Sequence, residues 1–245
     1  MVLLAHLSDT HFDNGPRASE RAARVMAYLE TLDDSVDAVL VTGDIADHGL
    51  PSEYAEALAV LSSRHRVLLC PGNHDVRGPY REAMVGTSGE GPVNALHEVA
   101  GVVIAMCDSS VPGQDYGHLD DATLAWLDEA LTRTQDQPAL VAFHHPPVRL
   151  HNELIDGIRL RNPEQLADLL GRHPQVAAVL VGHAHTAAAS TFAGRPLLVA
   201  PGVVSTLLLP WERRGHLDLE LPPAVAFHAL DDGLLTTHYR VVPTG

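Results

Sequence analysis

Scarcities bound what this chain can be. Cysteine occurs only at Cys70 and Cys107, each in an apolar run that reads as a strand. That excludes a disulfide framework and predicts two buried free thiols in a reducing compartment. Basic residues are few, with 16 Lys and Arg against 31 Asp and Glu, a formal charge of -15. Such a surface repels a nucleic-acid polymer, and an aromatic content of 4% leaves little for bases to stack on. No apolar run approaches the ~18 residues of a membrane-spanning helix, so no membrane insertion is expected.

The N-terminus lacks a basic stretch and reaches Asp9 before an apolar signal core could be completed, which predicts a cytoplasmic protein. Repeats, low-complexity tracts and long linkers are missing as well, so residues 1-245 are expected to form a single domain. Histidine is the exception to this sparseness, with 16 copies.

Short apolar runs alternate with segments of helical period, the pattern of an α/β fold. Strands are predicted at 2 to 8, 37 to 42, 66 to 70, 101 to 107, 139 to 143 and 176 to 181. Helices are predicted at 18 to 33, from Pro51, at 121 to 134 and at 163 to 171. The last third reads as short strands, ending in 224 to 230 and 234 to 242 around Asp231-Asp232-Gly233. Residues 76 to 92, 145 to 162 and 203 to 216 read as irregular. Arg213 and Arg214, beside Trp211, are candidates for a substrate or subunit contact or for a solvated loop.

Five clusters of metal-binding side chains sit where predicted strands end. They are Asp9 and His11, Asp44, Asn73-His74-Asp75, His144-His145, and His183 with His185. Ligands of α/β sheets gather at the carboxyl ends of strands, so these loops can converge on one crevice. Alone, Asp-x-His or His-x-His is common and Gly-Asn often marks a turn. Five clusters in fixed order, each at the carboxyl end of a strand, are hard to obtain from turn chemistry. The donors Asp9, His11, Asp44, Asn73, His144, His183 and His185 exceed what one tetrahedral ion takes. They suit two cations about 3.5 to 4 Å apart, with a carboxylate bridging them. Such a pair lowers the pKa of a shared water toward ~7, which makes hydroxide available for in-line attack at phosphorus. His74 is placed to protonate the leaving alkoxide, with Asp75 expected to orient its ring. Asn73, His74 and His145 are the candidates for touching substrate. Hard oxygen and borderline nitrogen donors together suit Fe, Mn, Zn or Co.

The series Asp-x-His, Gly-Asp-x-x-Asp (43 to 47), Gly-Asn-His-Asp (72 to 75), His-His and Gly-His-x-His (182 to 185) resembles the calcineurin-like metallophosphoesterase superfamily. Ser-Asp-Thr-His-Phe (8 to 12), Pro-Gly-Asn-His-Asp (71 to 75) and His-His-Pro-Pro (144 to 147) are similar to bacterial class III cyclic nucleotide phosphodiesterases and related glycerophosphodiesterases. The resemblance implies a four-layer αββα sandwich with two divalent or trivalent metal ions at the edge of its sheets. Asp44 would bridge, with Asp9, His11 and His185 on one ion and Asn73, His144 and His183 on the other. The implied activity is hydrolysis of a small phosphodiester such as cAMP. A glycerophosphodiester, a phosphomonoester or another nucleotide is the alternative substrate, and an inactive binding scaffold is the alternative of another class. Phosphoprotein phosphatases carry Arg where this chain has His48 and Glu where it has Asp75, and purple acid phosphatases carry Tyr at Asp47. Lack of an Arg fork favours a diester monoanion over a monoester dianion. Assembly into a homodimer or higher homo-oligomer stays open.

Overall fold

The computed structural model describes residues 1–32, 35–212 and 215–243. The chain runs β1 (Val2–Leu7), α1 (Pro16–Glu30), β2 (Ala38–Thr42), α2 (Pro51–Val60), β3 (Arg66–Cys70) and α3 (Arg77–Tyr80), which continues into a wider π turn over Arg81–Val85. There follow β4 (Ala95–Val99), β5 (Val102–Met106), α4 (Asp121–Arg133), β6 (Ala139–Ala142), α5 (Glu153–Gly157), α6 (Pro163–Gly171) and β7 (Val176–Val181). The remainder is β8 (Ala188–Phe192), β9 (Arg195–Val199), β10 (Thr206–Leu207), β11 (Leu217–Asp218), β12 (Ala224–Asp231) and β13 (Leu234–Val241).

Helix starts follow local chemistry. Proline occupies the first turn of α1, α2 and α6, where its missing N–H costs nothing. The α4 start is capped by Asp120, whose carboxylate accepts the Thr123 N–H at 2.7 Å. Helix α1 begins at Pro16, earlier than expected, and the expected end at residue 33 lies outside the described residues, as do Arg213 and Arg214.

Two sheets form, ordered β13-β12-β1-β2-β3 and β4-β5-β6-β7-β9-β8, with β10 and β11 as a separate ribbon. In the first, β1, β2 and β3 are parallel; in the second, β5, β6, β7 and β9 are. Alternate residues of each strand face opposite ways. One set, including Leu4, Leu40, Leu68, Ile104, Leu140 and Leu180, packs the sheets against each other. The other set of the first sheet, including Val39 and Val41, packs on Val25 and Leu29 of α1 and Tyr54 and Ala57 of α2. On the far side Val141 and Val179 meet Leu127 and Leu131 of α4 and Leu166 and Leu170 of α6. The layers are therefore helix, sheet, sheet, helix, the four-layer αββα arrangement. Both free cysteines are buried, and burial pushes both thiols up. Among the described residues no helix is long and apolar enough to cross a membrane.

Near the carboxyl ends of the first sheet the inter-sheet layer turns polar. His6 continues the facing set of Val2 and Leu4, and its Nε2 lies 2.9 Å from Thr42 Oγ1 while its Nδ1 lies 3.0 Å from His228 Nε2. His228 Nδ1 then meets Thr237 Oγ1 at 2.8 Å. Each histidine is solvent-inaccessible, which is tolerated because every ring nitrogen is paired. Burial pulls His228 down to about 3, and burial followed by the neighbouring His228 holds His6 well below its ordinary value. A lowered folded-state pKa contributes stability above about pH 6.5 that is lost as pH falls, because only the unfolded chain then takes up the proton. Unfolding free energy of metal-free protein should fall by about 1.4 kcal/mol per pH unit for His228 alone between about pH 6.5 and 4.5. Urea titrations across that window should show a shallower slope in His228→Gln. An identical slope in both proteins would contradict the assignment.

Candidate active site

The parallel strands of both sheets deliver their following loops to one edge. Past β1, the Asp9 N–H donates to Gly43 at 3.1 Å and the His11 N–H to Asp44 at 2.9 Å, so the loops after β1 and β2 zip together. Backbone strain concentrates here. Asp9, His11, Asp44, His183 and His185 all have φ between 44° and 69°. Side chains rarely adopt that region, and each instance costs on the order of 1–3 kcal/mol. The turn before Asp44 needs glycine: Gly43 has φ 92°, and a Cβ there would overlap the His144 ring and come within 2.9 Å of Gly72 Cα.

Asp44 occupies the middle. One carboxylate oxygen, Oδ2, lies 3.2 Å from His144 Nε2 and 3.5 Å from His11 Nε2, while Oδ1 accepts the His74 N–H at 2.9 Å. Asp9 Oδ1 sits 3.5 Å from His185 Nε2 and 3.9 Å from His144 Nε2. His11 Nε2 and His185 Nε2 approach to 3.2 Å, and His183 Nδ1 approaches His144 Nε2 to 3.1 Å. Three of these imidazoles are held from behind by their other nitrogen. His11 Nδ1 bonds to Asp47 at 2.8 Å, His144 Nδ1 donates to the Thr42 carbonyl at 2.6 Å, and His185 Nδ1 meets Ser205 Oγ at 2.8 Å. Such outer partners fix the ring and aim the remaining nitrogen inward, as metal-ligating histidines require.

Several buried polar atoms of these loops make no hydrogen bond: both Asp9 carboxylate oxygens, Asn73 Oδ1 and His183 Nε2. An unpaired buried carboxylate costs several kcal/mol, so this donor set fits bound cations and is poorly served without them. The clusters Asp9-His11-His185 and Asp9-Asp44-His144 each bring their ligand atoms within 4.8 Å of one another. Electrostatics agree. Burial opposes charge on His144, yet Asp44 and then Asp9 hold it up at about 9. The same pairing, against burial, holds Asp44 well below the usual carboxylate range. A proton on His144 thus stands where a cation would. Burial and the neighbouring imidazoles keep His183 neutral, well below its ordinary value.

Two expected roles are corrected. Asp75 does not orient His74; its buried carboxylate accepts the N–H groups of Gly72 at 2.8 Å and of Ile45 and Ala46 at 3.1 Å. It clips the loop after β3 to the loop after β2, and burial, then Asp44, raise it to about 6. His74 Nδ1 instead donates to the Asp47 carbonyl at 2.8 Å. His145 is fully buried, with Nδ1 2.8 Å from Ser109 Oγ and Nε2 3.2 Å from the Asp115 carbonyl, so neither nitrogen is available to a substrate. Asp47, Ser205 and Thr42 are the supporting residues that the sequence reading did not assign. Asp47 stood in the Gly-Asp-x-x-Asp motif, while Ser205 carries no sequence signal.

A cavity of about 420 Å³ opens over His11, His74 and His185. Asp13 and Arg17 border it on the α1 side, and Val204, Leu217 and Leu219 form its apolar wall. Arg17 Nη2 donates to the carbonyls of Val204, at 2.7 Å, and Leu219, which ties that wall to α1. His48 does not line this cavity; its Nδ1 donates to the buried Glu53 at 2.8 Å.

A two-sheet sandwich with carboxylates, an amide and imidazoles at the shared carboxyl edge of its strands is a metal-dependent phosphoric ester hydrolase. The sequence model of the calcineurin-like phosphoesterase family matches residues 2–187, and the chain belongs to that family. It is 32% identical over 241 residues to a glycerophosphodiester phosphodiesterase of Enterobacter lignolyticus, covering 93% of this chain and 86% of the relative. It is 31% identical to a cAMP/cGMP dual specificity phosphodiesterase of Mycobacterium tuberculosis, covering 83% and 68%. A dimetal phosphatase from Danio rerio shares the fold, with a TM-score of 0.73 at 14% identity and 99% of both chains covered.

Proposed function

We propose that this site hydrolyses small phosphodiesters with two metal ions, 3',5'-cyclic nucleotides such as cAMP being the favoured substrates. The buried Asp9 carboxylate, neither oxygen of which takes part in a hydrogen bond, carries the metal-dependent reading, because bound cations would satisfy it. Asp9, His11 and His185 would hold one ion, Asn73, His144 and His183 the other, and Asp44 lies between the two sets. Fe, Mn, Zn and Co all suit these donors. When bound, such a pair polarises a phosphoryl oxygen and acidifies a water.

The chain's own groups then do the rest. Asp47 and Ser205 fix the rings of His11 and His185, and the Asp47 carbonyl keeps a proton on His74 Nδ1. The proton His74 can give is therefore the one on Nε2, delivered to the departing alkoxide. Two observations favour a diester. No guanidinium stands at position 48, and the Nη2 of Arg17, the guanidinium that borders the cavity among the described residues, is occupied by two carbonyls. The 32% identity to a glycerophosphodiesterase over most of the chain supports a glycerophosphodiester as the second reading.

Metal-loaded protein should turn over cAMP, a glycerophosphodiester and bis(p-nitrophenyl) phosphate faster than p-nitrophenyl phosphate. Rapid monoester cleavage with every diester untouched would overturn the proposal. A cytoplasmic setting accords with the two buried thiols, and the formal charge of -15 argues against a nucleic-acid polymer as substrate.

A further inference from the structure

A second cavity, of about 560 Å³, lies on the His145 side of the centre, lined by Val111, Tyr116, His118 and Arg161. Its place follows from backbone contacts. The residues flanking Tyr116 both touch His145: the Asp115 carbonyl lies 3.2 Å from Nε2, and a Cβ on Gly117 would overlap the ring. The His145 ring in turn packs 4.8 Å from that of His144 and 4.7 Å from that of His183. The backbone on either side of Tyr116 thus lies against His145, whose ring packs on two of the candidate metal ligands.

The corner is rigidly knit. The Arg161 N–H donates to Gly117 at 2.8 Å and the Leu160 N–H to Pro146 at 3.0 Å. Asn162 receives the Leu119 N–H at 3.1 Å and donates to its carbonyl at 2.7 Å. On this frame the Arg161 guanidinium sits 5.0 Å from the Tyr116 ring centroid. Core aromatics are spoken for by packing, since Phe12, Tyr54, Tyr80 and Phe143 are fully buried, whereas Tyr116 is part-exposed and belongs to no buried cluster. An aromatic face and a planar cation bordering one cavity form a stacking platform, and every nucleobase has a π face to lay on it. A glycerol or ethanolamine group has none.

We propose that the Tyr116–Arg161 cavity seats the nucleobase of a nucleotide substrate, so that Tyr116 and Arg161 set the preference for cyclic nucleotides over aliphatic diesters. The inference rests on the phosphodiesterase reading, and binding separates the two. Calorimetry on metal-loaded protein compares adenosine 5'-monophosphate with ribose 5-phosphate, which lacks the base. The wild type should bind the nucleotide about five- to hundredfold more tightly. Tyr116→Ala should abolish most of that ratio, Tyr116→Phe should retain it, and Arg161→Ala should reduce it. Val111→Trp, which fills the cavity without removing the tyrosine, should lower nucleotide affinity and leave ribose 5-phosphate unaffected. Equal affinities in the wild type, or a ratio unchanged in both Tyr116→Ala and Val111→Trp, would overturn the proposal. Diester hydrolysis without a nucleotide preference would overturn the nucleobase seat alone. A nucleotide preference lost in Tyr116→Ala, in a protein that cleaves no diester, would sustain the seat and overturn the reading of the reaction.

Discussion

Replacing Asp44 with asparagine should lower kcat/KM for every phosphodiester by about a thousandfold or more, because its carboxylate lies between both donor sets. A Lewis-acidic pair supplies several kcal/mol of transition-state stabilisation, and about 1.4 kcal/mol is tenfold in rate. Asparagine preserves the acceptor for the His74 N–H, now 2.9 Å from Asp44 Oδ1, so the loop after β3 keeps its anchor. It cannot supply the charge that counters His144 at 3.2 Å and His11 at 3.5 Å. Metal content by plasma emission spectroscopy should fall, while circular dichroism stays that of the wild type. Full metal loading with kcat within tenfold of the wild type would remove Asp44 from the centre.

The loss should also carry a pH signature in the metal-free protein. Asp44 is held well below the usual carboxylate range, chiefly by His144 acting against burial. Its contribution to stability is therefore present above the ordinary carboxylate pKa and fades as pH falls toward the folded value.

The convergence of the donor-bearing loops was legible because strand ends and donor types coincide in the sequence, and parallel strands must release their loops at one edge. What adjacency could not supply was direction. His145 follows His144 in a bend past β6, and its ring nitrogens turn to Ser109 and Asp115 while His144 Nε2 faces Asp44. Asp75 lies two residues beyond Asn73 in a turn rather than a strand, and the chain folds it back onto the Gly72, Ile45 and Ala46 amides. The orienting role passes to Asp47, thirty-odd positions from His11 and bonded to it only because β1 and β2 are neighbours.

Elements missed by the sequence reading are those with little to bury. Strand β4 pairs with β5 at an edge and alternates half-buried and exposed residues, so its apolar signal is weak. Helix α5 buries only Ile155 and is held by its Asn152 cap, inside a stretch read as irregular. The π turn over Arg81–Val85 has no fully buried residue. In contrast β2 and β6, buried at every position, were read nearly to the residue.

Replacing His74 with alanine should separate protonation from metal binding. The side chain is exposed to the cavity, packs edge-on against His11 with centroids 4.6 Å apart, and has its Nδ1 engaged by the Asp47 carbonyl at 2.8 Å. Metal content should therefore match the wild type. Turnover should depend on the leaving group, because an alkoxide such as a ribose oxygen needs a proton as it departs and p-nitrophenolate does not. General acid catalysis contributes about 10²–10⁴-fold, so kcat on cAMP should fall by that range while kcat on bis(p-nitrophenyl) phosphate stays within about tenfold. A plot of log kcat against leaving-group pKa should steepen accordingly. Equal losses on both substrates would instead give His74 a role in holding the phosphoryl group, with its hydrogen bond to the Asp47 carbonyl positioning the ring for that contact.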